Sequence, residues 1–360
     1  MDDVRQGRLR GGPETLQLNL TNACNLDCRF CWNHSPLVAP RSPAWHARRL
    51  SDAHLSAVLA ALPRLRPDHV LLSGRGEPLA YPGIERLLGV LGELAIDVTI
   101  QTNGTIGPSP ERLVGLGVGA LHVDVSGATA EGYARVHPGR GVALYPRLVE
   151  RLERFSDLGA RLVLVAVITR DNASEIVALA RWARALNVHG LYLKGLELAP
   201  GLEGLALDGP GRERVWLDLQ EARDVLAGSS VHLDVQHLEV IVRHGEGQGD
   251  FTSGSGGLAS PEETEDAGRG CGTSACYMGW YYLRITCDGE VMFCCKDKRV
   301  GHLDDPGGLY RLWRAPRYQS LRLAGRDGDP EGILFDAACA RCSNFARNRA
   351  IARAFDSALE

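Results

Sequence analysis

Short apolar runs alternate with amphipathic segments along the first two thirds of the chain. Six runs rich in β-branched residues and leucine are typical of strands. These runs cover residues 15–21, 69–74, 97–103, 121–127, 161–169 and 189–198. The segments between them repeat apolar positions with a helical period and predict helices over residues 51–62, 83–93, 110–116, 142–158 and 173–186. Strict alternation of this kind predicts right-handed βαβ units and a parallel sheet.

Six such units are too few to close an eight-stranded barrel. The pattern therefore predicts an α/β fold, a partial (β/α)6 TIM barrel with its site at the carboxyl ends of the strands. An amino-terminal tail (1–14) precedes the barrel (15–200), and a connecting region (201–270) follows it. That region begins with a predicted helix at 212–227 and strand at 231–236, and ends in a flexible stretch rich in glycine, serine and acidic residues.

The predicted strands are more polar than parallel strands that are buried on both faces. Because side chains alternate across a strand, polar residues at every second position share one face. The residues concerned are Gln17, Asn19, Thr21, Thr99, Gln101, Asn103, His122, Asp124, Ser126, Tyr192 and Lys194. A polar lumen is the simplest account, since a packed apolar barrel would leave these groups unpaired. At any single position, a structural hydrogen bond explains the residue equally well.

Charge and composition exclude several function classes. The formal net charge is -4 and the predicted pI is about 6.3, so no positive field is available for a nucleic acid or an anionic membrane. The amino terminus lacks the apolar core of a signal peptide, and no apolar run is long enough to span a bilayer. A cytoplasmic location is expected. Ten cysteines in a reducing compartment favour metal or redox chemistry over disulfides.

The cysteines form two separate groups. Cys24, Cys28 and Cys31 follow the first predicted strand, and no further cysteine occurs until Cys271. Three thiolates can hold three irons of a cubane cluster and leave the fourth iron open for chemistry. Zinc would prefer a second cysteine pair, which residues 32–270 do not supply.

The first group resembles the motif of the radical S-adenosylmethionine (radical SAM) superfamily. The C-x3-C-x2-C triplet follows strand one, and SGRGEP ends strand two. The resemblance implies that the cysteine trio binds a 4Fe-4S cluster and that SAM chelates its open iron. It also implies that several other residues contact SAM, among them an aromatic against the adenine. The SAM-binding residues implied are Phe30, Gly76, Glu77, Pro78, Asn103, Ser126 and Arg170, the last being a candidate for SAM or substrate.

The second cysteine group resembles the twitch form of a SPASM domain. The strings WYYLRIT and EVMFCC predict a hairpin joined at an Asp-Gly turn. Cys276 and Cys294 frame this hairpin in a C-x12-G-x4-C pattern whose glycine is Gly289, and Cys339 and Cys342 form a C-x2-C pair. The resemblance implies one auxiliary 4Fe-4S cluster ligated by these four cysteines. A zinc ribbon would use the same ligands. The expected twitch domain covers residues 271–345, before a carboxyl-terminal helix at 346–360.

The resemblance implies that the reduced cluster cleaves SAM to a 5'-deoxyadenosyl radical, which abstracts hydrogen from a C–H bond. The auxiliary cluster then exchanges electrons with the substrate radical. Oxidation of that radical makes a dehydrogenase, whereas hydrogen return on the opposite face makes an epimerase. Cys271, Cys287 and Cys295 are the candidate hydrogen donors, although each can equally be a small buried hydrophobe. Epimerisation is preferred.

A carbohydrate-type natural product in antibiotic biosynthesis is the expected substrate. Asp124, Lys194 and Glu197 can bind vicinal hydroxyls, and a carboxylate can deprotonate one of them. A peptide maturase is the third possibility, disfavoured because the short segment before the first strand has no room for a leader-binding domain. A flavodoxin- or ferredoxin-type reductant is expected. The alternative from another class is a protein without enzymatic activity, either an iron-sulfur carrier or a zinc-stabilised binding module. Such a protein would not cleave SAM.

Overall fold

A ten-stranded sheet runs through the computed structural model, which describes residues 4, 6–9, 11–244, 275–329, 332–335, 339, 348 and 351. Its strands are β1 (Thr15–Leu18), β2 (His69–Leu72), β3 (Asp97–Thr102), β4 (Ala120–Asp124), β5 (Arg161–Ile168), β6 (Gly190–Gly195), β7 (His232–Asp234), β8 (Tyr282–Ile285), β9 (Glu290–Met292) and β10 (Arg299–His302). Strands β1 to β7 are neighbours in chain order, and all of these pairs are parallel. The predicted α/β fold with a parallel sheet is confirmed.

Helices connect the parallel strands β1 to β7 and cover one face of the sheet, and further helices follow β7 and β10. They are α1 (Pro43–His46), α2 (Asp52–Leu65), α3 (Ile84–Glu93), α4 (Pro110–Gly115), α5 (Ala130–Val136), α6 (Gly141–Asp157), α7 (Ile176–Ala185), α8 (Gly209–Leu226), α9 (Gln236–His244), α10 (Met278–Tyr281), α11 (Gly308–Trp313) and α12 (Pro316–Arg326). Short 3-10 helices occupy Pro78–Ala80, Ala173–Glu175 and Glu203–Leu205. The five helices predicted between the barrel strands are present as α2, α3, α4, α6 and α7.

Helix α2 shows how local sequence produces these elements. The Ser51 hydroxyl accepts a hydrogen bond from the His54 backbone N–H (3.1 Å) and caps the first turn. Leu55 and Leu62, which are fully buried, lie on the face that packs against the sheet. The helix ends at Arg66, which adopts a left-handed conformation (φ 44°).

The two faces of the parallel strands differ as the alternation predicts. On the helix-covered face, Leu16, Val70, Ile100, Val123 and Leu164 are fully buried. At about 25 cal/mol per Å² of apolar surface, this face supplies a large part of the hydrophobic stabilisation. The polar residues are thereby directed to the opposite, concave face.

The connecting region adds a seventh parallel strand. The helix predicted at 212–227 is α8, and the strand predicted at 231–236 is β7, which pairs with β6. The glycine- and serine-rich stretch through residue 270 lies outside the described residues, as does nearly all of the helix predicted at 346–360. Within the part of the chain that is described, no helix has both the length and the apolar composition needed to cross a membrane.

The carboxyl-terminal strands continue the barrel sheet, whereas the sequence predicts a small separate unit. Strand β8 pairs with β1 in parallel, and β9 and β10 follow as antiparallel neighbours. Strand β10 is absent from the sequence prediction. The Tyr282 hydroxyl donates to Oε1 of Gln17, which joins β8 to the concave face of β1. The predicted Asp-Gly turn joins β8 to β9, with Gly289 at a φ of 87°.

Candidate active site

A cavity of about 330 Å³ opens at the carboxyl ends of the parallel strands. It brings together ten of the twenty site residues predicted from the sequence, although they are far apart in the chain. The predicted site residues that line it are Cys24, Cys28, Phe30, Cys31, Gly76, Glu77, Asn103, Asp124, Lys194 and Glu197. This is the location predicted for a barrel of parallel strands.

The loop that carries the cysteine trio is fixed by the loop after β2. The Glu77 backbone N–H donates to the Ala23 carbonyl (2.8 Å). At Gly76, an added Cβ would lie 2.4 Å from the same carbonyl oxygen, which is closer than real Cβ atoms approach. Glycine is therefore required at this position because the two loops touch through their backbones.

The Glu77 carboxylate organises the ends of β2 and β3. It is buried and accepts hydrogen bonds from the Thr102 hydroxyl (2.6 Å) and from the backbone N–H groups of Leu79 (3.0 Å) and Asn103 (2.8 Å). Burial raises the pKa of Glu77, and these donors oppose that rise. Much of the acceptor capacity of this carboxylate is used by groups of the chain itself. Glu77 therefore positions the loops after β2 and β3, in addition to the SAM contact expected from the motif.

Asn103 links the third strand to the cysteine loop. Its side-chain amide donates to Oδ1 of Asn25 (2.9 Å) and lies 3.9 Å from Sγ of Cys24. The following loop is held by Arg151, whose guanidinium donates to the carbonyls of Gly104 and Pro108 (both 2.8 Å). Sequence reasoning missed Asn25 and Arg151, because neither belongs to a recognisable motif.

The surroundings of the three cysteines disfavour the charged thiolate form when no metal is bound. Burial raises the pKa of Cys24 to about 12, and the nearby charges of Glu77 and Cys31 add to this. Burial likewise raises the pKa of Cys28 and Cys31. The thiols therefore hold their protons at neutral pH, and iron binding must displace them.

An aromatic group lies beside the cysteine loop. Phe30 lines the cavity and meets the ring of His137 edge-on, with the ring centroids 5.7 Å apart. The His137 ring stacks on Tyr133 at 4.0 Å. Burial lowers the pKa of His137 to about 4, so this imidazole is neutral at physiological pH.

The cavity floor contains a carboxylate with a pKa near neutrality. Burial raises the pKa of Asp124 to about 6, although the Ser126 hydroxyl and the charge of Lys194 oppose this shift. Burial and the charge of Lys194 lower the pKa of His122 to about 4. Asp124 is thus a carboxylate that can accept a proton at neutral pH beside a neutral imidazole.

Several predicted residues have other surroundings. Ser126 is fully buried, donates to Oδ1 of Asp124 (2.7 Å) and accepts from the Val167 N–H (3.0 Å), so its hydroxyl is not directed to the cavity. Pro78 is buried in a 3-10 helix, and Arg170 is exposed at the surface. A SAM contact by any of these residues stays a prediction.

Two of the three proposed hydrogen donors, Cys287 and Cys295, are also away from the cavity. Cys287 is 3% exposed, and its Sγ–H donates to Oδ1 of Asn22 (3.3 Å) beneath the cysteine loop. Cys295 is a half-buried residue whose carbonyl accepts from Arg284 (3.1 Å). Among the described residues that line the cavity, neither cysteine occurs. Cys271 lies outside the described residues.

Two cysteines of the second group are packed into the core. Cys276 and Cys294 are 7% and 9% exposed, and Cys339 is half-buried. Burial raises the pKa of Cys294 to about 12, and the charges of Cys295 and Cys339 contribute, which places Cys339 close by. Cys342, the fourth predicted ligand, lies outside the described residues. None of the eight described cysteines forms a disulfide.

Both cysteine groups fit iron-sulfur clusters by the chemistry of their donors. The trio lines one cavity, and N–H groups of Asn33 (3.5 Å to Cys31) and Asn103 approach its sulfurs. In the second group, backbone N–H groups of Lys296 and Lys298 approach Cys294. Such donors stabilise ligating thiolates.

Comparisons with known proteins agree with this assignment. Residues 18–183 match the Radical SAM superfamily, and residues 276–343 match SPASM, an iron-sulfur cluster-binding domain. A probable GTP 3',8-cyclase of Aeropyrum pernix is 26% identical over 282 residues, covering 78% of this chain and 72% of that protein. Mycofactocin maturase MftC of Mycobacterium tuberculosis is 26% identical over 342 residues, covering 92% and 76%.

A solved structure has the same fold. Streptococcus suis SuiB, crystallised with the precursor peptide SuiA, superposes with a TM-score of 0.61 at 15% identity, covering 96% of this chain and 73% of SuiB. At this identity, the likeness concerns the fold alone. It covers nearly all of this chain, so the shared fold includes the carboxyl-terminal segment as well as the barrel.

Proposed function

We propose that this chain is a radical SAM enzyme with a carboxyl-terminal SPASM domain, as the matches of residues 18–183 and 276–343 support, and that it modifies a side chain of a peptide substrate. The observation that carries the proposal is the similarity to a maturase over 92% of the chain. The carbohydrate substrate and the epimerisation expected from the sequence receive no support from the relatives reported above. The likeness to a peptide-bound structure is consistent with the proposal through the fold only.

The residues of the first cysteine group have distinct proposed roles. Cys24, Cys28 and Cys31 hold the SAM-binding cluster, and Gly76 and Glu77 shape the adjoining SAM site. When bound, the cluster and SAM supply a radical that removes hydrogen from an unactivated C–H bond. The chain excludes water and positions the reacting side chain. The second cysteine group is proposed to exchange electrons with the substrate, and a flavodoxin- or ferredoxin-type protein to supply the reducing electron.

The rim of the cavity suits a peptide that lies across it. Three large apolar side chains on the two rim loops are exposed: Trp32 (42%), Leu37 (40%) and Leu198 (36%). The loops touch, because an added Cβ at Gly201 would lie 2.3 Å from the Leu37 carbonyl oxygen. Nε1 of Trp32 donates to the Glu197 carbonyl (3.2 Å), which fixes the indole at the mouth. Exposed apolar groups beside a cavity are typical of a recognition surface.

The polar floor receives the reacting side chain in this proposal. Asp124 accepts a proton from the substrate, because its pKa of about 6 leaves it charged at neutral pH. Lys194 and Glu197 line the same cavity and orient polar groups of the substrate. These three residues keep the substrate roles expected from the sequence, now directed to a peptide side chain.

The test uses anaerobically reconstituted protein, a flavodoxin reducing system and SAM. Synthetic peptides encoded by short reading frames beside the gene are compared with a pool of sugars and aminocyclitols. We expect a peptide to increase 5'-deoxyadenosine formation and to change in mass. Stimulation by a sugar, with peptides inert, would overturn the peptide proposal.

A small-molecule substrate is the second candidate. The similarity to a GTP 3',8-cyclase and the polar floor of the cavity favour it. For an alcohol substrate, reaction in deuterium oxide separates the two outcomes expected from the sequence. Solvent deuterium at the product carbon, lost in Cys271→Ala, Cys287→Ala or Cys295→Ala, identifies epimerisation, whereas a two-electron-oxidised product identifies dehydrogenation.

A further inference from the structure

Three metal-ligating side chains meet outside the active-site cavity. His54 belongs to α2, whereas His302 and Asp304 belong to the end of β10 and the turn after it. Nε2 of His54 lies 3.0 Å from Oδ1 of Asp304, and Nδ1 of His302 lies 3.2 Å from Oδ2. One ligand atom from each residue can be chosen so that all lie within 4.8 Å of one another.

The hydrogen bonding of His302 selects the nitrogen that faces Asp304. Nε2 lies 2.8 Å from the Asp288 carbonyl oxygen, which can only accept, so Nε2 carries the proton. Nδ1 is then the basic nitrogen, and it faces the Asp304 carboxylate and, at 3.2 Å, the Asp304 backbone N–H. A metal-bound histidine usually binds the metal through one ring nitrogen and donates the N–H of the other nitrogen to an acceptor such as a backbone carbonyl.

Gly289 fixes the two rings in this arrangement. A Cβ at this position would lie 2.7 Å from Cε1 of His54 and 3.1 Å from Cε1 of His302. The backbone of the β8–β9 turn therefore contacts both imidazoles directly. The His54 and His302 side chains are only 16% and 22% exposed, whereas Asp304 is 73% exposed and accessible to an incoming ion.

We propose that His54, His302 and Asp304 bind a divalent transition-metal ion of the zinc type. Two imidazole nitrogens and a carboxylate are a donor set that suits Zn²⁺, with a fourth position left for water. The bound ion joins α2 of the barrel to the segment that carries β10. Its role is stabilising, because none of its ligands lines the active-site cavity. The alternative is a hydrogen-bonded His-Asp-His cluster without an ion.

The test uses holoprotein with both clusters, treated anaerobically with a chelator and then titrated with Zn²⁺. We expect one tightly bound Zn²⁺ with nitrogen and oxygen neighbours at about 2.0–2.2 Å in its X-ray absorption spectrum. The variants His302→Gln and Asp304→Asn should bind this ion at least about 100-fold more weakly, since even outer-shell changes cost about 10–100-fold. The wild type alone should gain thermal stability with Zn²⁺.

Controls distinguish this site from the cysteines. His189→Gln removes an exposed histidine elsewhere and should bind Zn²⁺ like the wild type. Sulfur neighbours at about 2.3 Å would place the ion on thiolates and overturn the proposal. Failure of the wild type to retain Zn²⁺, or equal retention by Asp304→Asn and His302→Gln, would also overturn it.

Discussion

The two cysteine groups of this protein differ in what surrounds them. Cys24, Cys28 and Cys31 are half-buried and line a cavity that reaches the surface. Cys276 and Cys294 are buried within the hydrophobic core, next to residues such as Phe293 and Tyr318. One group is therefore accessible to a small molecule, and the other is closed off by packed side chains.

This difference teaches how one chain can hold two similar cofactors with different tasks. Three cysteines that line a cavity leave an iron accessible to SAM. Four ligating cysteines would leave no iron open and would favour electron exchange over substrate binding. The number of cysteine ligands and the access to the cavity separate the two sites, and each site can be perturbed while the other is observed.

The largest effect is expected from removal of the accessible group. The triple variant Cys24→Ala, Cys28→Ala, Cys31→Ala should lose all SAM cleavage, because no iron remains in the cavity. Its iron content should fall from about eight to about four per chain, since one 4Fe-4S cluster remains. Chromatography of 5'-deoxyadenosine and an iron assay measure both quantities. As a control, Cys287→Ala should keep both clusters; SAM cleavage by the triple variant would disprove the assignment.

Removal of the closed group should have a different result. The double variant Cys276→Ala, Cys294→Ala should lose the second cluster and be destabilised by on the order of 4 kcal/mol or more, because buried ligands and core contacts are lost together. SAM cleavage without substrate should persist, whereas product formation should stop. Spectroscopy of the remaining cluster with assays of both products measures this. A variant that keeps the first cluster but no longer cleaves SAM would contradict the separation of tasks.

A smaller change tests the contact between the cysteine loop and its neighbour. Gly76→Ala introduces a Cβ 2.4 Å from the Ala23 carbonyl oxygen and should push the loops apart. We expect SAM cleavage about 100-fold slower, as for a reacting group displaced by about 1 Å. Single-turnover kinetics measure the rate. Gly89→Ala is the matched control, because its Cβ meets nothing within 4 Å and should be neutral or stabilising by up to about 1 kcal/mol. Equal rates in the two variants would refute the steric argument.

The smallest effect is expected in the pH dependence of turnover. Asp124 has a pKa of about 6 and is charged above it, so kcat/KM should rise with pH through about 6. Asp124 has a higher pKa in the folded chain than its ordinary value of 3.8, which applies to the unfolded chain. It therefore stabilises the fold fully at pH values below 3.8, and this contribution is lost as the pH rises through about 6. Asp124→Asn should remove the rising limb of the profile and keep SAM cleavage. An unchanged profile would exclude Asp124 as the proton acceptor.

Much of the barrel could be predicted because its signals are local. Alternating apolar runs depend on neighbouring residues, so the strands through β6 and the helices α2, α3, α4, α6 and α7 were placed within a few residues, whereas α1 and α5 were not predicted. Pairing of β8 with β1 could not be predicted, because no local pattern specifies which distant strand completes an edge. The hairpin of β8 and β9 itself was predicted, and only its attachment to β1 was not.

The site was predictable where a motif carries the chemistry. The cysteine trio, Gly76 and Glu77 follow recognisable spacings, and all of them line one cavity. Arg151 and Asn25 have no such signal, because they act through contacts with backbone carbonyls and with Asn103. Ser126 has the expected chain position, but its hydroxyl is consumed by its neighbours. Side-chain partners of this kind depend on tertiary packing.

The pairing of β1 with β8 has a consequence for synthesis of the chain. About 260 positions separate the two strands, which at about 5–20 residues per second takes a ribosome roughly 13–50 seconds to translate. During that time one edge of β1 lacks its partner, and such an edge is a template for pairing with other chains. The amino-terminal cysteine loop follows β1 directly, so it reaches its final surroundings only when most of the polypeptide has been made.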